Sequence, residues 1–289
     1  MTLEQLRIFA AVAEREHMTA AARALNVTQS AASAAIAALE ARHAIKLFHR
    51  VGRGIALTEA GQMFLIEARA VLARATAAET MLEELGGLKR GTLRVVASQT
   101  IAAYWLPPIL AAFRDRYPLL SVELAIANTE QAAARVHDGE ADLGIVEGQV
   151  DDPALAHWPI GEDRLVLVGS APFTARIDAD WLRRARWVAR EQGSGTRSTL
   201  DRQLRELGVD PATLDVALVL PSNESVRTAV EAGAGVAVLS SLVVAPAIAA
   251  GTLHAAPIGF GPRIFFGLRH KERYRTKAAD ALLELIGSQ

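Results

Sequence analysis

The sequence predicts a multidomain α/β protein: an N-terminal winged helix-turn-helix, a long linker helix and a two-lobed α/β domain. Three observations carry this reading. The first 58 residues place short apolar runs at helical spacing around tight turns and end in a glycine-centred strand pair. Residues 59–90 then carry an apolar seam that repeats every three or four positions, as one long helix would. From Thr92 onward strand-like and helix-like segments alternate, the pattern of a largely parallel sheet covered by helices. The domains therefore divide as 1–58, 59–90 and 91–289.

Leu3, Leu6, Phe9, Ala10 and Ala13 share one helical face, so the chain opens on an amphipathic helix. Thr19 is placed to cap a short second helix ending near Leu25-Asn26-Val27, where Asn26 suits a left-handed residue. Thr28 caps a third helix running to about Ala44. Two short helices joined by a three- or four-residue turn form a helix-turn-helix. In segment 47–57, Gly52 and Gly54 separate two short strand-like runs, which read as a wing. Thr58 caps the next helix, which reaches Leu85 before Gly86-Gly87 ends it. At 1.5 Å per residue that helix spans about 42 Å. Phe64, Ala68, Val71, Ala75, Ala78, Leu82 and Leu85 line one side at spacings of four and three, a seam suited to a second copy of the helix. The same seam could pack on its own domain, but the preceding 58 residues are too few to cover so long a helix.

The α/β region begins with a strand at 93–97, a helix at 101–117, a strand at 121–126, a helix at 130–138 and a strand at 142–146. A second set starts with a strand at 164–169. It continues with a strand at 187–188, a helix at 196–207, a strand at 215–219, a helix at 225–232, a strand at 235–239 and a closing helix from Thr276. Two lobes account for this better than one continuous sheet. The first is expected at about 91–162 with 265–289, and the second at about 163–264. The uncharged stretch between Glu231 and Arg263 is long enough for a bilayer. Gly233, Gly235, Pro246, Gly251, Pro257 and Gly261 interrupt it, so it reads as buried strands and loops.

Apolar residues at 51% and charged residues at 22% place the chain among ordinary globular proteins. The absence of cysteine excludes disulfides, thiolate chemistry and thiolate zinc sites, and fits a reducing compartment. Glu4 stands where a secretory signal needs positive charge, and Glu14, Arg15 and Glu16 break the apolar run, so a cytoplasmic location without a membrane partner is expected. With 31 basic against 32 acidic residues, the whole chain argues against a polybasic binder of nucleic acid or membrane. The segments differ, however. Residues 1–58 carry seven basic and four acidic side chains, residues 59–90 have net charge −1, and residues 91–289 have −3. A modestly basic head precedes a mildly acidic remainder. Such a head implies a shallow salt dependence and reliance on several heads per DNA site.

Ala21-Ala22, Leu25, Thr28-Gln29-Ser30-Ala31-Ala32-Ser33, Ile36, Leu39-Glu40, Leu47-Phe48, Arg50, Leu57-Thr58 and Gly61 together resemble the N-terminal domain of LysR-type transcriptional regulators, over about the first sixty residues. The remainder is similar in order and size to that family's effector-binding domain, whose two lobes resemble type 2 periplasmic binding proteins. The resemblance implies a bacterial DNA-binding regulator and not an enzyme. Its implied partners are double-stranded promoter DNA, a small metabolite held between the lobes, further copies of itself as a dimer of dimers, and RNA polymerase. It implies no cofactor and no metal.

Thr28, Gln29, Ser30 and Ser33 stand at the N-terminal end of the third helix. A helix laid in the major groove presents such side chains to base edges and its first amides to phosphate. Gln29 can pair with adenine through two hydrogen bonds, and the hydroxyls suit phosphate. A plain cap at Thr28 and a small packing residue at Ser33 are the competing structural readings. Arg50 and Arg53 flank the wing turn, from which they can reach the DNA backbone or minor groove. Members of the family commonly carry longer polar or basic side chains after the serine matching Ser33. Here Ala34, Ala35, Ala37 and Ala38 follow it. Alanine offers a base only weak apolar contact, so direct readout should be sparse.

Three strand-to-helix turns face a cleft: Ser98-Gln99-Thr100, Gln192-Gly193-Ser194-Gly195-Thr196 and Ser222-Asn223-Glu224-Ser225. Helix N-termini offer free amides and a positive dipole end, so the cleft suits a small anion or carboxylate, although each turn alone reads as ordinary capping. The candidate effector residues are Ser98, Gln99, Thr100, Glu147, Ser194, Thr196, Asn223 and Glu224. Glu147 ends a strand on the cleft side, where it can accept a ligand hydroxyl or amine or serve as a hinge. Arg190 and Arg197 lie near the second turn and are open as ligand contacts. Segment 190–197 looks like the branch of the family that regulates carbon fixation or sulfur metabolism, and the effector is left unassigned.

Other functions fit less well. Glu191 stands where the first glycine of a G-x-S-x-G nucleophile turn belongs. The seven histidines include no pair at i, i+3 or i, i+4, and Gly233-Ala234-Gly235 lacks the third glycine of a dinucleotide fingerprint. The alternative is a cytoplasmic or exported solute-binding protein without promoter-specific regulation. Two lobes suit that reading, and a winged helix does not.

Overall fold

A computed structural model describes residues 1–52, 54–85 and 91–287, with the side chains of residues 83–85 left aside. The chain divides into two compact units, Met1–Gly86 and Gly87–Gln289.

In the first unit, α1 (Leu3–Arg15) begins at Thr2, whose side chain accepts the Gln5 amide while Gln5 reaches back to the Thr2 amide. The second helix, α2 (Met18–Ala24), is capped by His17 and not by Thr19: the His17 Nδ1 accepts the Ala20 amide at 3.3 Å. An imidazole can do the work of a hydroxyl at this position, and the helix starts a residue or two earlier than threonine preferences indicate. Asn26 takes the left-handed conformation with φ 55°. Thr28 caps α3 (Gln29–His43) by accepting the Ala31 amide at 3.1 Å. The wing strands β1 (Phe48–Val51) and β2 (Gly54–Leu57) pair antiparallel, with Gly52 in the left-handed region between them. Thr58 accepts the Gly61 amide at 3.0 Å and opens α4 (Glu59–Leu85).

Phe9, Leu6, Val12, Ile36 and Leu39 form the core of this unit, and Phe64, Leu65, Ala68 and Leu72 of α4 pack against it. The expected seam on α4 is thus split. Phe64 and Ala68 turn inward, whereas Val71 and Leu82 are 42% and 66% exposed. The side chain of Leu85 and the residues Gly86-Gly87 lie outside the described set. Gly61 permits the close join of α4 to the wing, because a Cβ there would lie 2.1 Å from the Leu47 carbonyl oxygen.

The second unit starts with β3 (Gly91–Ala97). A single turn of π type, Ile101–Trp105, then leads into α5 (Leu106–Arg116), so the expected helix 101–117 has an irregular first turn. There follow β4 (Leu120–Ile126), α6 (Thr129–Asp138) and β5 (Leu143–Glu147). β3 lies between β4 and β5 with both pairings parallel, giving the expected βαβαβ unit. Leu93, Val95, Ile109, Phe113, Ile145 and Leu282 fill one face of this sheet, and Val96, Ala132, Val136 and Val146 fill the other. Burial on both faces explains the apolar run of β5 and of the second half of β3, whereas the edge strand β4 largely alternates half-buried and exposed positions.

The next strand, β6 (Leu155–Gly169), is 15 residues long and begins nine residues before the expected start at 164. After α7 (Ala179–Arg184) come β7 (Arg186–Arg190), α8 (Gly195–Glu206), β8 (Asp215–Leu220), α9 (Asn223–Glu231) and β9 (Ala237–Ser240). The apolar stretch expected to be strands and loops contains a helix, α10 (Ser241–Ala249), with Pro246 inside it. That helix is apolar on all sides, so no polar face betrays its period. The short β10 (His254–Ala255), the 11-residue β11 (Phe260–His270) and α11 (Lys277–Gly287) complete the chain.

Two lobes are present, but they share a sheet. Strands run in the order β10-β6-β11-β5-β3-β4, with β9 also on β6, and β7-β8 form a separate pair. β6 and β11 pair antiparallel along nearly their whole length and pass from one lobe into the other. The expected lobe boundaries at 162/163 and 264/265 fall inside these two strands. Pro159, Gly161 and the charges Glu162, Asp163 and Arg164 obscure the first strand in the sequence, and Gly261, Pro262 and Arg263 obscure the second.

Candidate functional sites

The candidate site of the first unit is built on α3. Ala32, Ile36 and Leu39 bury one face, which leaves Thr28, Gln29, Ser30 and Ser33 exposed at its N-terminal end. The Thr28 hydroxyl lies 3.0 Å from the Ser30 hydroxyl, so both remain on the open side of the cap. Ala34, Ala37 and Ala38 are exposed and Ala35 is half-buried, giving a surface of methyl groups after Ser33. Arg50 is exposed on β1, opposite Ile55. Arg53 lies outside the described residues.

Glu40 had no role assigned from sequence, and the structure gives it one. It is buried at the end of α3, where its Oε1 accepts the amides of Leu47 at 2.9 Å and Phe48 at 3.3 Å, and its Oε2 accepts Lys46 Nζ at 2.6 Å. α3 and the start of the wing are joined through this carboxylate. Burial raises its pKa, but the Lys46 ammonium and the two amides more than offset that, so the carboxyl titrates below its ordinary value. The sequence signal was an acid that follows Leu39 on an otherwise apolar face.

The two lobes of the second unit meet at a buried polar network. Its centre is Arg263, on β11 opposite Asp163 of β6. Its Nε donates to Asp163 Oδ1 at 2.7 Å, Nη2 to Asp163 Oδ2, and Nη1 to Thr196 Oγ1 at 2.8 Å; Nη1 also lies 3.5 Å from Glu147 Oε1. Thr100 Oγ1 is 3.5 Å from Nη2 and accepts Asn223 Nδ2 at 3.0 Å, while the Asn223 amide donates to Gln99 Oε1 at 2.7 Å. Gln99, Thr100, Glu147, Thr196 and Asn223, expected from three turns and a strand end, are therefore brought into one network. Burial lowers the pKa of Arg263, but Glu147 and Asp163 outweigh it and raise the net value, so the guanidinium stays charged. Arg263 and Asp163 were missed because they sit inside strands unrecognised as such.

The remaining expected residues have distinct surroundings. The Ser98 hydroxyl is buried without a hydrogen-bond partner among the described residues. Ser194 precedes α8 and is buried, but its side chain makes no capping bond. Glu224 Oε1 accepts the Tyr104 hydroxyl at 3.1 Å. Burial and that carboxylate hold the Tyr104 phenol above its ordinary pKa, so it remains a donor. The arginines near the second turn both have carboxylate partners: Arg190 pairs with Glu191 at 2.8 Å, and Arg197 with Asp201 at 2.9 Å. Gly195 lets the start of α8 approach β5, since a Cβ there would lie 2.2 Å from the Glu147 carbonyl oxygen.

A winged-helix head carried in one chain with two α/β lobes that meet at a buried polar network is the architecture of a DNA-binding regulator with a substrate-binding domain. Residues 3–62 match the bacterial regulatory helix-turn-helix protein, lysR family, and residues 86–289 match the LysR substrate binding domain. The chain belongs to the LysR family and is a LysR-type DNA-binding transcriptional regulator. It is 34% identical over 290 residues to the uncharacterized HTH-type transcriptional regulator YeiE of Escherichia coli K12, covering 98% of this chain and 96% of that one. It is also 34% identical to the probable RuBisCO transcriptional regulator of Cyanophora paradoxa, covering 99% and 91% of the two chains. The regulatory domain of Synechocystis PCC6803 CcmR in complex with 2-PG superimposes with a TM-score of 0.62 at 25% identity, covering 69% of this chain and 97% of that one. Among the described residues, no helix is long and apolar enough to cross a membrane.

Proposed function

We infer that this protein regulates promoters in the cytoplasm as a dimer of dimers, and that a small acid bound between its lobes sets the output. Thr28, Gln29, Ser30 and Ser33 meet the major groove, and Arg50 with Arg53 meets the flanking backbone or minor groove. The exposed alanines of α3 leave few side chains to read bases, so DNA shape and the joint action of several heads contribute much of the specificity. RNA polymerase is the expected partner for activation. The chain regulates and does not catalyse.

One observation carries the ligand reading. Gln99 and Thr100 of the first lobe and Thr196 and Asn223 of the second meet around buried charges, where a ligand can change how the lobes are held. An effector shifts the regulator only by binding its two states unequally. The likeness to the RuBisCO regulator and to the CcmR complex makes 2-PG the first compound to try.

Genome-wide mapping of bound sites identifies the promoters, and footprinting on one of them with and without added 2-PG or other small acids tests the mechanism. A changed footprint or DNA bend is expected at saturating effector. Failure to bind any promoter would remove the DNA-reading assignment, and an unchanged footprint with every acid would remove the ligand assignment.

A further inference from the structure

We propose that the Arg190 guanidinium is the receptor for the carboxylate of a small acid, and that Glu191 occupies this receptor as an internal stand-in until the acid replaces it. The proposal deepens the reading of the cleft given above and rests on it.

Arg190 ends β7 and is buried, its side chain 5% exposed. Its Nε and Nη2 face the two carboxylate oxygens of Glu191 at 2.8 and 3.0 Å. This two-pronged geometry is the one arginine uses to bind a separate carboxylate. Neighbouring residues on a strand point to opposite faces, so the pair forms only because Glu191 has left the strand for the turn before α8. The third prong, Nη1, donates to Asn223 Oδ1, and Asn223 is tied to Gln99 and Thr100. The fork is thus aimed by residues of both lobes, independently of Glu191.

Glu191 is held less firmly. Its side chain is 26% exposed, and its other hydrogen bond, from Asn128 Nδ2, is 3.4 Å long. Release returns this carboxylate to water at small cost. The contrast with Arg263 decides which cation can exchange its partner. Asp163 and Glu147 are as deeply buried as Arg263, so freeing either would leave an unpaired charge away from water. Arg197 is paired within its own helix one turn away. The groove of about 430 Å³ between α6 and the start of α8 is lined by Glu130, Asp138, Asp151 and Asp152 with His137 set against Asp152, so carboxylates outnumber basic groups there and disfavour an anion. Of Arg190, Arg197 and Arg263, it is Arg190 whose partner is the most exposed to water. Exchange also removes the Glu191–Asn128 contact between the lobes, and so links acid binding to their arrangement.

The test is calorimetric titration of the full-length protein with acetate, malonate and inorganic phosphate, at constant ionic strength set with chloride. In Glu191→Gln the charged competitor is gone, and malonate should bind about tenfold or more tighter than to the native protein, on the scale of a charge-assisted hydrogen bond. Glu191→Asp, too short to reach both nitrogens, should shift the same way by less. Adding Arg190→Lys to Glu191→Gln keeps the charge but removes the fork, and the gain should vanish. Equal affinity of Glu191→Gln and the native protein would overturn the proposal, as would a gain that survives Arg190→Lys. A gain for phosphate alone would overturn the carboxylate assignment. Thermal melting of each variant confirms folding. Because the readout is binding to protein without DNA, it stands apart from the promoter footprint.

Discussion

Two buried charged groups hold their sites together, and each gives a prediction at the residue scale. Arg263 neutralises Asp163 and Glu147 and donates to Thr196. Replacing it by alanine strands two carboxylates away from water and should cost about 3–5 kcal/mol, read as a lower urea midpoint. Arg263→Met combined with Asp163→Leu removes charge from both sides and should lose less; an equal or greater loss would refute the electrostatic account. Glu40 is the counterpart in the head. Its native pKa lies below the ordinary 4.5, so its stabilisation is complete above that value and fades as pH falls through the lowered one. The gap in urea midpoint between the native protein and Glu40→Gln should therefore be wide at pH 7 and narrow progressively as the pH is taken below the ordinary 4.5. An unchanged gap would show that Glu40 does not titrate as described. Glu40 and Arg263 were illegible as functional residues in the sequence, because a charge on an apolar run signals nothing until its partner is placed beside it. Thr28 was legible, because its cap bond is local.

At the scale of elements, short-range signals marked ends at Thr58 and Gly52, and at α2 the cap fell on His17 instead of Thr19. Whole elements were misread in two situations. α10 has no polar face, and β6 and β11 carry proline, glycine and charge within the strand. α4 illustrates a third case, in which Phe64 and Ala68 complete the head's own core while Val71 and Leu82 further along are exposed, the stretch we propose meets a second copy. Val71→Glu and Leu82→Glu together should reduce the protein to smaller species in sedimentation experiments, and promoter affinity should fall with it. Intact dimers at micromolar concentration would place the dimer contact elsewhere.

For the whole molecule, the sheet has open edges. β4 ends the long sheet, with its last residue Ile126 exposed, and among the described residues β8 pairs only with β7 and presents Leu218 and Val219, the latter 58% exposed. Unpaired edges with apolar side chains favour association with another chain. If the second unit completes the dimer of dimers through such an edge, Val219→Lys should halve the mass seen by light scattering while leaving single-site DNA binding in place. A native-sized assembly would exclude this edge. The charge pattern belongs to the same scale, since a head of net +3 should give a shallow dependence of DNA affinity on salt for each bound copy.

By itself the sequence determined the winged helix, the long helix, the alternating lobes, the basic head and the family likeness, because caps, turns and apolar periods act over a few residues. It also supplied most of the cleft candidates, since a turn between strand and helix is a local event. Only the tertiary structure decided which of them meet. Arg263 reaches Thr100 across 163 positions and Asp163 across 100, and these contacts exist because β6 and β11 run side by side through both lobes. No local pattern encodes that register; it follows from burying the faces of two long strands at once.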